Sequence, residues 1–307
     1  MTIQQLEYIV AVDRHRHFVR AAEDCGVTQP TLSAMIQKLE EELNAQIFDR
    51  SKHPVEPTGI GRKIIAQART ALNDMGRLQE LVQSEVNALS GKLSIGIIPT
   101  VAPYLVPKFI RHFGAQHPEV TLSLSEMRTG NITGRLLDSS LDMAILATPL
   151  DNPDLLEIPL YYERFVAYFS PEIVRDKREL RASDLPEEGL WVLQEGHCLR
   201  NQVFNFCEKK PGAHHIYEAG TIDTLIRIVD QNGGYTVIPE LHLEFLSEPQ
   251  TRNIRPIDSP PAVQEIALVI GKDYLEERMV NPVADTIKTV IPERMLDERL
   301  RKFSIRL

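Results

Sequence analysis

Two cysteines nine residues apart carry the most reactive chemistry in this chain. They lie in Glu195-Gly196-His197-Cys198-Leu199-Arg200-Asn201, followed by Phe204-Asn205-Phe206-Cys207. A thiol reacts as its thiolate, a form favoured by helix N-termini and positive neighbours. Cys198 follows an expected loop and opens an expected helix, with His197 and Arg200 beside it. A thiolate so placed can attack peroxide and become a sulfenic acid. Cys207, between aromatic residues, reads as buried and inert while reduced. If 199–207 are helical, nine steps of 1.5 Å separate the two Cα atoms by roughly 13 Å. A disulfide needs roughly 5.5–6 Å, so joining the sulfurs would require the segment to unwind. The same pair also fits two small core residues, the usual fate of free cysteine, and spacing leaves both readings open.

Other chemistries fit less well. His197, Cys198, Cys207, His214 and His215 are zinc and copper ligand types, yet no CxxC or HxxxH spacing occurs. No metal and no cofactor are expected. There is no GxSxG, Walker or GxGxxG motif in a suitable context. Gly59-Ile60-Gly61 and Gly233-Gly234 read as helix-end and turn glycines. An enzyme using Cys198 as nucleophile is the weaker alternative, and the chain is expected not to be an enzyme. Cys25, at the end of a short helix, reads as core filler.

The elements that must position these residues fall into two parts. A length of 307 residues suggests about two domains. With 43% hydrophobic and 25% charged residues, the chain is neither disordered, collagenous nor a disulfide framework. The net charge of −9 argues against nucleic acid until it is divided. Residues 1–88 hold 10 basic against 12 acidic residues, and the remainder holds 24 against 31. Any DNA contact must therefore come from local placement of charge. The start lacks a signal-peptide pattern, and no apolar run approaches a membrane span. The expectation is a cytoplasmic protein with reduced cysteines and no membrane partner.

Residues 1–58 read as a winged helix-turn-helix. Leu6, Ile9 and Val10 give a first helix its buried face, and Phe18, Val19, Ala21 and Ala22 start a second that Gly26 stops. Thr28 is expected to cap a third, with Pro30 in its first turn and Leu32, Met35, Ile36, Leu39 and Leu43 on its apolar side. Thr28, Gln29, Pro30, Thr31 and Ser33 lie at the front of this helix, where side chains reach base edges or phosphates. Lys38, Arg50 and Lys52 could hold the DNA backbone. The same residues would equally suit the solvated surface of a plain three-helix bundle. Phe48 to Pro57, broken by Pro54, reads as the wing. A linker helix over 59–89 follows, capped by Thr58. Its stripe of Ile64, Ala68, Ala71, Met75, Leu78 and Val82 recurs in steps of four and three, the pattern of a dimer seam.

After Ser90-Gly91 as linker, residues 90–307 alternate strands and helices. The strands are KLSIGII, VTLSLSE, DMAILA, RFVAYFS, LWVLQ, HIYEAG and YTVIP. Helices are expected over 103–117, 132–139 and 221–231. EIALVIG and a helix over 276–290 return to the first sheet. This is a βαβ pattern with a mainly parallel sheet, in two lobes around a cleft.

At this point the residues resemble a known family. Leu6-Glu7-Tyr8, Phe18-Val19-Arg20-Ala21-Ala22, Thr28-Gln29-Pro30-Thr31-Leu32-Ser33 and Ile36-Gln37-Lys38-Leu39-Glu40 are similar to the DNA-binding domain of LysR-type transcriptional regulators. Phe48-Asp49-Arg50 and Pro57-Thr58-Gly59 with Gly61 continue the match. The resemblance implies an α/β architecture: an N-terminal winged helix-turn-helix with a long linker helix, then a two-lobed, periplasmic-binding-protein-like regulatory domain. Gly196-His197-Cys198-Leu199-Arg200, the second cysteine, Ile98-Pro99-Thr100-Val101, Pro103-Tyr104-Leu105 and Thr129 resemble the peroxide-sensing members. That resemblance implies a peroxidatic Cys198, a resolving Cys207 and their reversible disulfide. Thr100, Thr129, His197 and Arg200 would form the peroxide pocket. It further implies double-stranded DNA, RNA polymerase and hydrogen peroxide as partners, and a homodimer or homotetramer. Asn201 stands where these sensors often carry an acid, and Val263-Gln264-Glu265 carries no Arg. The alternative is a regulator of the same family answering a small effector in the cleft.

Overall fold

Caps and breakers set the first helices. In the computed structural model α1 spans Ile3–His15. It starts where the Thr2 hydroxyl accepts from the Gln5 N–H while the Gln5 side chain accepts from the Thr2 N–H, satisfying two end groups at once. α2 spans Phe18–Asp24 and α3 Gln29–Leu43. Ile9, Val12, Ala21, Ala22, Leu32, Ile36, Leu39 and Phe48 form one core, with Leu6, Val10 and Met35 half-buried against it. Leu43 departs from the expected stripe: it is 38% exposed, because that core reaches only to Leu39.

The wing is β1 (Phe48–Asp49) paired antiparallel with β2 (Glu56–Pro57). α4 follows over Gly59–Ser84. Thr58 does cap it, its hydroxyl accepting from the Gly61 N–H at 2.9 Å. Gly61 has to lack a side chain, since a Cβ there would lie 2.0 Å from the Ile47 carbonyl oxygen. Ile65 and Ala68 enter the core, whereas Met75 is 42% exposed.

The structure describes residues 1–84, 89–173, 179–186, 188–207, 220–258, 260–272, 274 and 277–305. Only the backbone is described for 73–74, 76–84, Cys198, Phe204, Phe206, Cys207 and Glu277. Leu78 and Val82 of the seam, the strand HIYEAG apart from Gly220, and His214 and His215 thus lie outside the described side chains. Leu89, expected at the end of the linker helix, is not helical, and Gly91, expected in the linker, begins a strand. The chain divides into two units, Met1–Ala88 with Leu137–Ser140, and Leu89–Leu136 with Leu141–Leu307.

The second unit is built in the order β3 (Gly91–Ile97), α5 (Ala102–Gln116), β4 (Val120–Glu126), α6 (Thr129–Leu137), β5 (Met143–Thr148) and β6 (Leu155–Phe169). Then come α7 (Cys198–Cys207), α8 (Ile222–Asn232), β7 (Tyr235–Pro239), α9 (Glu248–Thr251), β8 (Ile254–Pro256), β9 (Val263–Gly271) and α10 (Glu277–Val290). The sheet order is β4-β3-β5-β9-β6-β7, with β8 on β6. β3 runs parallel to β4 and β5. Every other pair is antiparallel, so the sheet is mixed rather than mainly parallel. The cause is β9, which inserts between β5 and β6 and runs against both. The 15-residue β6 is also twice the length read from RFVAYFS. Its first half hides a proline at a register shift between Pro159 and Tyr161, the kind of irregularity that tolerates a missing N–H. LWVLQ contributes only an isolated bridge from Leu190 to Tyr235.

β6 runs through both cores of this unit. Leu155, Leu160 and Tyr161 belong to the first lobe and Phe165–Phe169 to the second. Between them Glu163 is fully buried, accepting from the Leu241 N–H and the Gln264 amide, each at 2.8 Å. Burial outweighs these two donors and pushes its pKa up from 4.5 to about 8. The folded state therefore holds this proton more tightly than the unfolded chain. The resulting stability is fully present below about pH 4.5 and is lost as pH rises to about 8. Glu163→Gln keeps an acceptor for Leu241 and removes the titration. Urea unfolding at a series of pH values should show the wild type losing stability relative to the variant across that window. Parallel curves for the two proteins would contradict this assignment.

Candidate functional site

Two surfaces gather the residues singled out by the sequence, one in each unit. On the first, Thr28, Gln29, Pro30 and Thr31 are exposed at the opening turn of α3, with Ser33 half-buried behind them. Thr28 occupies the cap position but makes no cap hydrogen bond; its hydroxyl pairs with that of Thr31 at 2.8 Å. The cause is local. Pro30 removes one of the two N–H groups that a capping hydroxyl normally meets. Arg50 is committed within the fold: it bonds Glu40 at 3.0 Å and lies 5.4 Å over the Phe18 ring. Glu40 in turn accepts from the N–H groups of Ile47 and Phe48, so Arg50 ties the wing to α3. Lys52 pairs with Glu56 at 2.6 Å, an exposed contact worth little and readily exchanged. Lys38 is exposed on α3.

On the second, α7 begins at Cys198 and ends at Cys207, as the spacing predicted. Thr100 follows β3, Thr129 opens α6 and His197 precedes α7. Thr100 and His197 are only 3% and 5% exposed. The Thr100 and Thr129 hydroxyls and His197 Nε2 are buried with no hydrogen-bond partner among the described residues. An orphaned buried group costs about 1–3 kcal/mol, which binding a small polar molecule would offset. The three do not share one cavity. His197 and Thr100 line a space of about 100 Å³, with Tyr104, Asp223 and His242. His197 and Thr129 line a larger one of about 410 Å³, with Gly196, Asn201 and Asp151. His197 is the wall between them. Arg200 is half-buried, and its N–H donates to the His197 carbonyl at 3.1 Å.

Sequence reading missed three groups here. Gln202 is fully buried with both amide atoms unpartnered among the described residues; four residues after Cys198, it shares that residue's face of α7. Arg200, Asn201 and Gln202 run together as three polar residues, so no local pattern singled Gln202 out. The Tyr104 hydroxyl and His242 Nδ1 are likewise buried without a hydrogen-bond partner among the described residues, while His242 Nε2 lies 3.7 Å from Asp223 Oδ1; only the fold brings them to the smaller cavity. Cys25 is half-buried, its thiol pushed up by burial and by Asp24, which disfavours a reactive thiolate.

Burial pushes the His197 pKa down, and the positive charge of Arg128 pushes it further the same way. The ring is therefore neutral at pH 7. Titration followed by imidazole NMR should place His197 below the ordinary value of 6.5; a midpoint above it would overturn this electrostatic account.

The fold and these two surfaces define a helix-turn-helix regulator with a ligand-sensing α/β domain. Residues 3–62 match the bacterial regulatory helix-turn-helix proteins of the lysR family, and residues 87–291 match the LysR substrate binding domain. The chain belongs to the LysR family of bacterial transcriptional regulators, not to a family of enzymes. Among its relatives, the hydrogen peroxide-inducible genes activator of Pectobacterium carotovorum subsp. carotovorum is 35% identical, with 94% of this chain and 96% of the relative covered. A full-length OxyR variant from Pseudomonas aeruginosa superposes with a TM-score of 0.79 at 31% identity, over 94% and 98% of the two chains. A hydrogen peroxide-bound OxyR variant from Corynebacterium glutamicum gives 0.60 at 26% identity, over 94% of each chain. Among the described residues no helix is long and apolar enough to cross a membrane.

Proposed function

We propose that this regulator senses hydrogen peroxide through Cys198 and Cys207. The observation that carries the reading is α7 itself, a ten-residue helix with one cysteine at each end. Helical rise holds their Cα atoms roughly 13 Å apart. The Cys198 thiolate attacks one peroxide oxygen, giving the sulfenic acid and releasing hydroxide, which takes up a proton. The Cys207 thiol then attacks that sulfur, a disulfide forms and water leaves. Two thiols are oxidised by two electrons and one peroxide becomes two waters. Closing the disulfide requires α7 to unwind, which converts local oxidation into a rearranged regulatory domain. His197, Thr100 and Thr129 supply unpartnered polar atoms for peroxide and its departing oxygen, with Arg200 beside them. Relatives named for peroxide-inducible genes, and a peroxide-bound neighbour, support this reading.

Residues 1–58 then act as the DNA-binding head, 59–89 as the linker and dimer helix, and 90–307 as the redox-sensing domain. The exposed apolar Met75 favours pairing of α4 with a second copy, in a dimer or tetramer working on duplex DNA and RNA polymerase in the cytoplasm. Thr28, Gln29, Pro30, Thr31 and Ser33 face the groove, while Lys38, Lys52 and Arg50 serve the backbone. A second reading has one observation in its favour: the Tyr104 hydroxyl and His242 Nδ1, both on residues lining the smaller cavity, are buried without hydrogen-bond partners among the described residues, which would suit a small effector.

Non-reducing peptide mapping after a micromolar peroxide pulse should join the Cys198 and Cys207 peptides. Cys198→Ser should bind DNA yet give no peroxide response. An equal response in Cys198→Ser, or no thiol loss together with thermal stabilisation by a metabolite, would favour the effector reading. For the DNA face, Lys38→Ala should weaken binding evenly across duplex sequences. It should also reduce the salt slope by about one for each phosphate that lysine neutralises. A sequence-selective weakening would instead make Lys38 a base-reading residue.

A further inference from the structure

Gly196 has φ +91, in the left-handed region, is exposed, and has an arginine from the other lobe beside it. A Cβ at Gly196 would meet Arg128 Cδ at 3.1 Å, with its guanidinium Nη1 at 3.6 Å and Nε at 3.8 Å. Arg128 lies between β4 and α6, immediately before Thr129. Gly196 comes two before Cys198, so its Cα lies at most about 7 Å from that of Cys198. The charge also reaches His197, whose ionisation it opposes. His197 and Arg200 were the cations the sequence offered beside the thiol, and burial removes His197 from that role.

We propose that Arg128 is the positioning residue and permanent cation of the Cys198 loop. It holds Gly196-His197 from the opposite lobe and supplies the positive potential that favours the Cys198 thiolate. The inference rests on the peroxide-sensing reading for its biological use, not for its electrostatics. Arginine keeps its charge at every physiological pH, so the potential does not fade as histidine's would. The other charged groups nearby are Glu195 in the loop, Glu126 at the end of β4, Asp151 from the β5–β6 turn, Asp223 in the first turn of α8 and Arg200 of α7. The four carboxylates oppose a thiolate, while Arg200 supports it from within α7 and Arg128 from the other lobe. Glycine suits this position because a φ of +91 strains any side chain, and an added Cβ would also press on Arg128 Cδ.

The test is the pH dependence of Cys198 alkylation by iodoacetamide in the full chain, read by mass spectrometry of the Cys198 peptide. Arg128→Gln should raise the midpoint by about one pH unit, a tenfold loss of thiolate below it. Oxidation by peroxide at neutral pH should slow to a similar degree. Arg128→Lys should restore the midpoint, which a purely structural contact would not achieve. An unchanged midpoint in Arg128→Gln, or no rescue by lysine, overturns the proposal. If the midpoint moves as expected but wild-type Cys198 does not react with peroxide, the peroxide reading fails and the role of Arg128 stands.

Discussion

The antiparallel ladder between β6 and β9 is the constraint on which the regulatory domain depends. These two strands pair from Leu155–Gly271 to Arg164–Val263, and they carry the chain from one hydrophobic core to the other. Each lobe then completes itself on its own side, β5 and β3 on one and β7 and β8 on the other. A polar centre sits within the ladder, where Glu163 of β6 meets Gln264 of β9. Burying a carboxyl costs heavily unless it is bonded or neutral, and here both remedies operate. The ladder fixes which loops of the two lobes meet, and so which side chains face one another around His197.

Much of the fold was legible because it rests on local rules. The Thr58 cap, the glycine stop at Gly26 and the periodicity of α3 and α8 are written in consecutive residues. The sheet was less so. Strand direction depends on β9, which comes more than a hundred residues after β5, and nothing in EIALVIG itself says which way it will run. The first half of β6 was hidden for a different reason. It reads LLEIPLY around a proline, with Leu156 47% exposed, so its apolar residues lack the alternation that marks a half-exposed strand.

The site followed the same division. The helix opening at Cys198 was readable from the local sequence, and the roles of the two cysteines and two threonines from resemblance. Arg128, Gln202, Tyr104 and His242 were not, because their roles come from tertiary neighbours. Arg128 matters through a residue 68 positions away, and a lone arginine after a strand carries no pattern. Arg50 has an engagement that its sequence position did not reveal: beside any phosphate contact, it bonds Glu40 and lies over the Phe18 ring.

The ring of His197 belongs to two walls at once. It lines the chamber beside Thr100 and the chamber beside Thr129. A molecule that fixes the ring from one side therefore sets the surface met by a molecule on the other, and linkage makes any such effect equal in both directions.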